Sequence, residues 1–202
     1  MKFRWSIFVM TVVLTGIPAA DADSCTVLQT SAGVDLHFPP GVVEYYIQRA
    51  GTPDVDGGAE FTAIQEAFRS WGAVQCNGDA PSVEFIYVGE ADVDQTNFDP
   101  RRFRDEKNMV TFVQNGWDGD PQVLARARIL WDTETGEIFE FGIALNDTNA
   151  QWSAGDQTEP GAFDIQSVMT REIGLILGAG DSEEPGAVMR TGFDEGVADR
   201  RM

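Results

Sequence analysis

Apolar residues recur along this chain in two rhythms, alternation and a three-to-four spacing, and the changes of rhythm divide it into elements. Val42–Ala50 (VVEYYIQRA) is rich in β-branched and aromatic residues and reads as a strand. GTPDVDGG breaks it. In Glu60–Val74 the spacing of Phe61, Ile64, Phe68 and Trp71 predicts an amphipathic helix with one buried stripe, weakened at its end by Gly72. Ser82–Gly89 and Asn108–Gln114 read as strands. Leu124–Asp132 (LARARILWD) alternates, with Arg126 and Arg128 on one face and Ala127, Ile129 and Trp131 on the other. The turn TETG leads into Glu137–Asp147, so these two runs predict a hairpin. Residues 148–163 read as a polar loop. A last helix follows in DIQSVMTREIGLILG, with Asp164 as its N-cap and Gly178 as its stop. Strand, helix, four strands, helix predicts a layered α+β or α/β domain, with no internal repeat and no long linker.

The first 22 residues do not fit that pattern. Lys2 and Arg4 precede an apolar run from Trp5 to Ile17, and Ala20-Asp21-Ala22 suits a small-x-small cleavage site. The run is shorter than the roughly 20 residues a membrane-spanning helix requires. The expectation is a signal peptide over 1–22, a single domain over 23–202, and a protein secreted to an extracellular or periplasmic space. Export places Cys25 and Cys76, the two cysteines, in an oxidising compartment, where a Cys25–Cys76 disulfide is expected. On the chain-entropy account a loop of that length contributes roughly 4 kcal/mol. Lipid modification of Cys25 is the rival, in the poor context of Asp23-Ser24.

Composition narrows the partners. The 43% hydrophobic content, five Trp and thirteen Phe suit a packed globular core. The chain has 14 basic and 33 acidic residues, a net charge of −19. Without residues 1–22 it loses Lys2, Arg4 and Asp21, leaving 12 basic against 32 acidic residues, or −20. Such a surface repels phosphate backbones, which argues against nucleic-acid binding. Solubility, calcium or a basic partner all remain compatible with it.

The chemistry concentrates in Thr170–Met189, TREIGLILGAGDSEEPGAVM. Its rhythm is that of HExxHxxGxxH. In that motif two His one helical turn apart share a metal, a Glu between them acts as general base, a Gly lets the chain leave the helix, and a third His completes the zinc shell. Here the first His position is Arg171, the base is Glu172, the second His position is Leu175, the glycine is Gly178 and the third His position is Asp181. Met189 follows where a Met-turn belongs. DIQSVMTREIG, DSEEPGAVM, TGEIFEFGIALNDTNAQWS and AIQEAFRSWGAV together resemble the matrixin family of metzincins over most of residues 40–190. The resemblance implies a metzincin-like α+β fold: a twisted, mixed five-stranded sheet packed on an N-terminal helix and an active-site helix. It also implies a zinc endopeptidase site, from which this chain departs.

Zinc needs a lone pair from imidazole, thiolate or carboxylate. Leu175 has none and Arg171 is a cation with no acceptor, so of the three positions only Asp181 can ligate. The single histidine, His37, lies far upstream and reads as a surface or loop residue. The expectation is therefore a catalytically inactive pseudoprotease with no zinc and Glu172 vestigial, able to take a peptide or protein ligand. The alternative is an active metalloendopeptidase with a rebuilt site and Glu172 as base; a third reading is a drifted product with no role. An Arg171–Asp181 ion pair is one way to fill the place of the metal, with Arg171 paired to Glu172 or to another nearby acid as the rival. Drift is the other account, since Arg, Leu and Asp codons each lie a single base change from a His codon. RTGFDEGVADRRM after Met189 predicts no full closing helix, and no cysteine-switch pro-segment is found. Matrixins often carry structural calcium. Gly116–Gln122 and Thr52–Gly58 bring Asp and Gly together without EF-hand spacing, and read first as solvated turns. Oligomeric state is left open by the sequence.

Overall fold

In the computed structural model, the structure describes residues 26–74, 81–92 and 107–198. The N-terminal 22 residues, Cys25 and Cys76 lie outside the described residues, and so does the expected disulfide.

The described residues form seven strands and two α-helices, among which the five predicted strands and two helices stand in the predicted order. The elements are β1 (Gly41–Gln48), α1 (Ala59–Gly72), β2 (Val83–Ala91), β3 (Asn108–Phe112), β4 (Ala125–Trp131), β5 (Ile138–Leu145), β6 (Trp152–Ser153), β7 (Phe163–Asp164) and α2 (Ile165–Ile176). A single turn of 3-10 helix, Asp56–Gly58, leads into α1. The main sheet has five strands in the order β2-β1-β3-β5-β4. β1 pairs in parallel with β2 and β3, β3 pairs in parallel with β5, and β4 is antiparallel to β5 at one edge. This is the mixed five-stranded sheet that the resemblance implies.

The core lies between the sheet and the two helices. Tyr45 and Ile47 of β1, Val110 and Phe112 of β3, and Phe141, Ile143 and Leu145 of β5 meet Ile64, Ala67 and Phe68 of α1. They also meet Ile165, Val168, Met169, Ile173 and Ile176 of α2. The Tyr45 and Phe68 rings stack at 3.9 Å between centroids. Both helices turn a stripe of residues three and four apart to the sheet, which is why the apolar spacing located them. In α1 the fully buried positions are Glu60, Ala63, Ile64, Ala67 and Phe68, while Phe61 and Trp71 sit half-exposed at its margins. The indole of Trp71 instead donates to the Thr170 carbonyl at 2.7 Å and fastens α1 to α2.

Two sequence readings are adjusted. The stretch expected to be only a polar loop contains β6, which pairs in parallel with β7. Its anchor is Trp152, buried edge-to-face on Phe112 at 6.4 Å. β4 does not split into a wet and a dry face, for all seven of its residues are half-buried. Ala127, Ile129 and Trp131 pack on the core side, while Arg126 on the other face lies 4.7 Å over the Trp117 ring.

Past α2 the chain forms no further helix among the described residues, and Phe193 of this tail packs against the core. His37 is an exposed loop residue whose amide bonds the Gly136 carbonyl. Among the described residues no helix is long and apolar enough to cross a membrane.

Candidate functional site

α2 begins as its first residues dictate. Asp164 accepts from the Ser167 amide at 2.8 Å and from the Ser167 hydroxyl at 2.6 Å, capping the N-terminus. The helix, which packs against β4, then carries Arg171, Glu172 and Leu175 within about one turn. The chain leaves it at Gly178, whose φ of +88° is left-handed. A Cβ there would collide with the Leu36 carbonyl, so glycine is required on two grounds.

The exit turn is fixed by the N-terminal segment. The Leu28 amide bonds the Gly178 carbonyl at 2.7 Å, the Gly180 amide bonds the Thr26 carbonyl at 2.7 Å, and the Thr26 hydroxyl donates to the Asp181 carbonyl at 2.6 Å. The Ser182 amide bonds the Met189 carbonyl at 3.0 Å and closes the following loop. Asp181 is thereby held over the helix, with its carboxylate beside Arg171.

One guanidinium joins both partners that the sequence offered. The Arg171 Nη1 donates to Glu172 Oε1 at 2.9 Å, and its Nη2 donates to Asp181 Oδ1. The three side chains are 13%, 4% and 30% exposed, for Arg171, Glu172 and Asp181 in that order, so this cluster is substantially withdrawn from water. Arg171 Nε is buried with no hydrogen-bond partner. Burial pushes the Glu172 carboxyl above its ordinary range, and Asp181 adds to this. Arg171 and a hydrogen bond from the Ala127 backbone oppose it. Leu175, half-buried, contributes volume and no donor atom.

Met189 packs against the helix at Gly174. A Cβ on Gly174 would run into the Met189 sulfur and come within 2.7 Å of the Trp71 ring. Gly174 is thus a position of close packing, and it was not singled out from sequence. Trp71, Thr26 and Ala127 were likewise missed as parts of this site. Gly174 carries the one readable signal, a glycine inside an otherwise strong helix pattern. The others come from distant segments, and no local pattern marks them.

The positions do not fit zinc. The first presents a guanidinium, the second a hydrocarbon, and the third a carboxylate already engaged by the first. Among the described residues no group of three or more His, Cys, Asp or Glu side chains is placed to hold a metal ion. The two Asp-Gly loops are also engaged. Asp118 accepts from Arg126 at 2.8 Å, and Asp120 Oδ1 accepts from the Gln122 amide at 2.9 Å. In the other loop Asp54 accepts from the Trp152 amide at 2.9 Å. Nearby, Asp147 accepts from the Thr52 hydroxyl at 2.8 Å, while its second oxygen is buried without a partner. Burial raises the Asp147 pKa to about 6, and Asp54 contributes to the rise.

Fold and site together define a metzincin-like α+β domain, with an active-site-type helix, a glycine exit and a methionine packed below. The matrixin family model matches residues 38–200, and the chain belongs to that family. No curated protein matches it.

Proposed function

We propose that this matrixin is a secreted pseudoprotease, catalytically inactive and without a resident cofactor, which acts by binding a peptide or protein. The observation that carries this reading is the Arg171 guanidinium set between Glu172 and Asp181, two of these three residues standing where the motif spacing puts zinc ligands. Without zinc no bound water is brought to a pKa near 7, and Glu172 has no water to deprotonate. Its side chain instead accepts from Arg171 and the Ala127 backbone.

The binding role is supported by β4. It is an edge strand, and the bond from the Asn146 amide to the Leu124 carbonyl fixes its register on β5. That register turns the backbone groups of Ala125, Ala127 and Ile129 away from the sheet. Ala127 is already engaged by Glu172, which leaves Ala125 and Ile129 to receive an added strand. Export rests on residues 1–22 alone.

The test is the metal content of the purified protein by elemental mass spectrometry, with casein hydrolysis run on the same sample. The expected result is no stoichiometric zinc and no cleavage. Stoichiometric zinc with chelator-sensitive cleavage would replace this reading with that of an active metalloendopeptidase.

A further inference from the structure

We propose that Glu172 and Asp181 form a cation site whose cation is the chain's own guanidinium, so that Arg171 performs the cross-bracing that a metal would perform. This rests on the reading of the site as a substituted metal centre.

The two carboxylates come from different segments, the helix and the loop beyond its glycine exit, yet they converge on one charge. Glu172 is almost completely buried and Asp181 about two-thirds so, and a shared counter-charge offsets the cost of burying them in ionised form. The guanidinium supplies it through two separate nitrogens, a fork geometry that ammonium does not have. Arg171 leaves its own Nε buried and unpaired. Its two terminal nitrogens are the ones that find partners, and both partners are acids. Asp181 does not drift toward solvent, because Thr26 and the Gly180–Thr26 bond fix the backbone on either side of it. Two anions held at fixed places around one cation is the arrangement of a ligated ion, with a planar organic cation in place of a metal.

A site of this kind, emptied by truncation, should take a free cation of the same class. The experiment is chemical rescue of R171A by methylguanidinium, followed by thermal unfolding. R171A is expected to lower Tm by about 10 °C. Methylguanidinium at about 20 mM is expected to restore part of that loss in a saturable way, as mass action on a folded-state site requires. The same concentration should not raise the Tm of the wild-type protein, and R171A/D181N should lose the rescue. A Tm of R171A within a degree of wild type overturns the proposal, and so does a rescue that sodium chloride reproduces. If R171A does not fold, R171K and R171Q carry the test. The lysine variant is expected to melt several degrees above the glutamine variant, or to fold where the latter does not, and equal behaviour overturns the proposal. Casein hydrolysis by the wild-type protein bears only on the inactivity proposed above, so the two failures are distinct.

Discussion

Two arginines in this domain make the same kind of contact and do different work. Arg126, on the edge strand β4, bonds Asp118 at 2.8 Å and lies over Trp117. Arg171, on α2, bonds Glu172 and Asp181. Asp118 is 80% exposed, so water and salt compete for the first pair throughout. Glu172 is 4% exposed, and among the described residues Arg171 and the Ala127 backbone answer its charge. The contacts differ little in chemistry. They differ in what is left behind when one partner is removed, and burial sets that difference.

The largest effect should come from Arg171→Met, which strands a buried carboxylate. A loss of about 3–5 kcal/mol is expected by denaturant unfolding. The loss should depend on pH. Removing Arg171 raises the folded-state pKa of Glu172 further, and a raised carboxyl stabilises the fold at low pH and loses that contribution as pH rises. The deficit should therefore be smaller at pH 5 than at pH 8. An equal deficit at both would mean that Glu172 is not the group left uncompensated.

Gly174→Ala addresses the floor of the same region. Its methyl group would overlap the Met189 sulfur and the Trp71 ring, and about 1–3 kcal/mol should be lost through overpacking. Met189→Ala in the same chain should return part of it, and strict additivity of the two would sever the link between them.

Asp147→Asn should change stability in the opposite direction. The Asp147 pKa, raised to about 6 from an ordinary 3.8, means that the folded protein binds more protons than the unfolded chain between those values. Stability is then lost as pH rises from about 4 to about 6. The asparagine variant should melt higher than wild type at pH 7 and the same at pH 3.5. A lower melting temperature at pH 7 would show that the charge is compensated.

The smallest effect belongs to Arg126→Met, about 1 kcal/mol or less at low salt and close to nothing in 1 M sodium chloride. If it matched Arg171→Met, burial would not be what separates the two arginines.

The sequence made the elements legible because each obeys a local rule. The stripe Ile64–Phe68 faces the sheet, Asp164 caps α2, Gly178 takes a left-handed φ, and TETG joins β4 to β5. The motif positions were equally plain, since spacing on a helix fixes which residues share a side. What the sequence left as rivals, Arg171 with Asp181 or with Glu172, the structure makes one bridge. β6 is illegible in the sequence because two residues carry no period; its anchor is the burial of Trp152 against Phe112.

By itself, then, the sequence determined the family and the order of helices and strands, and it put Arg171, Leu175 and Asp181 at the spacing of the motif, all of which are matters of residue type and short spacing. The tertiary structure decided which side chains Arg171 meets. The Thr26–Leu28 segment, the Trp71 indole and the outward backbone of Ala127 converge on α2 from far along the chain. Burial, which no local pattern encodes, then decides that Arg171 must answer two carboxylates at once.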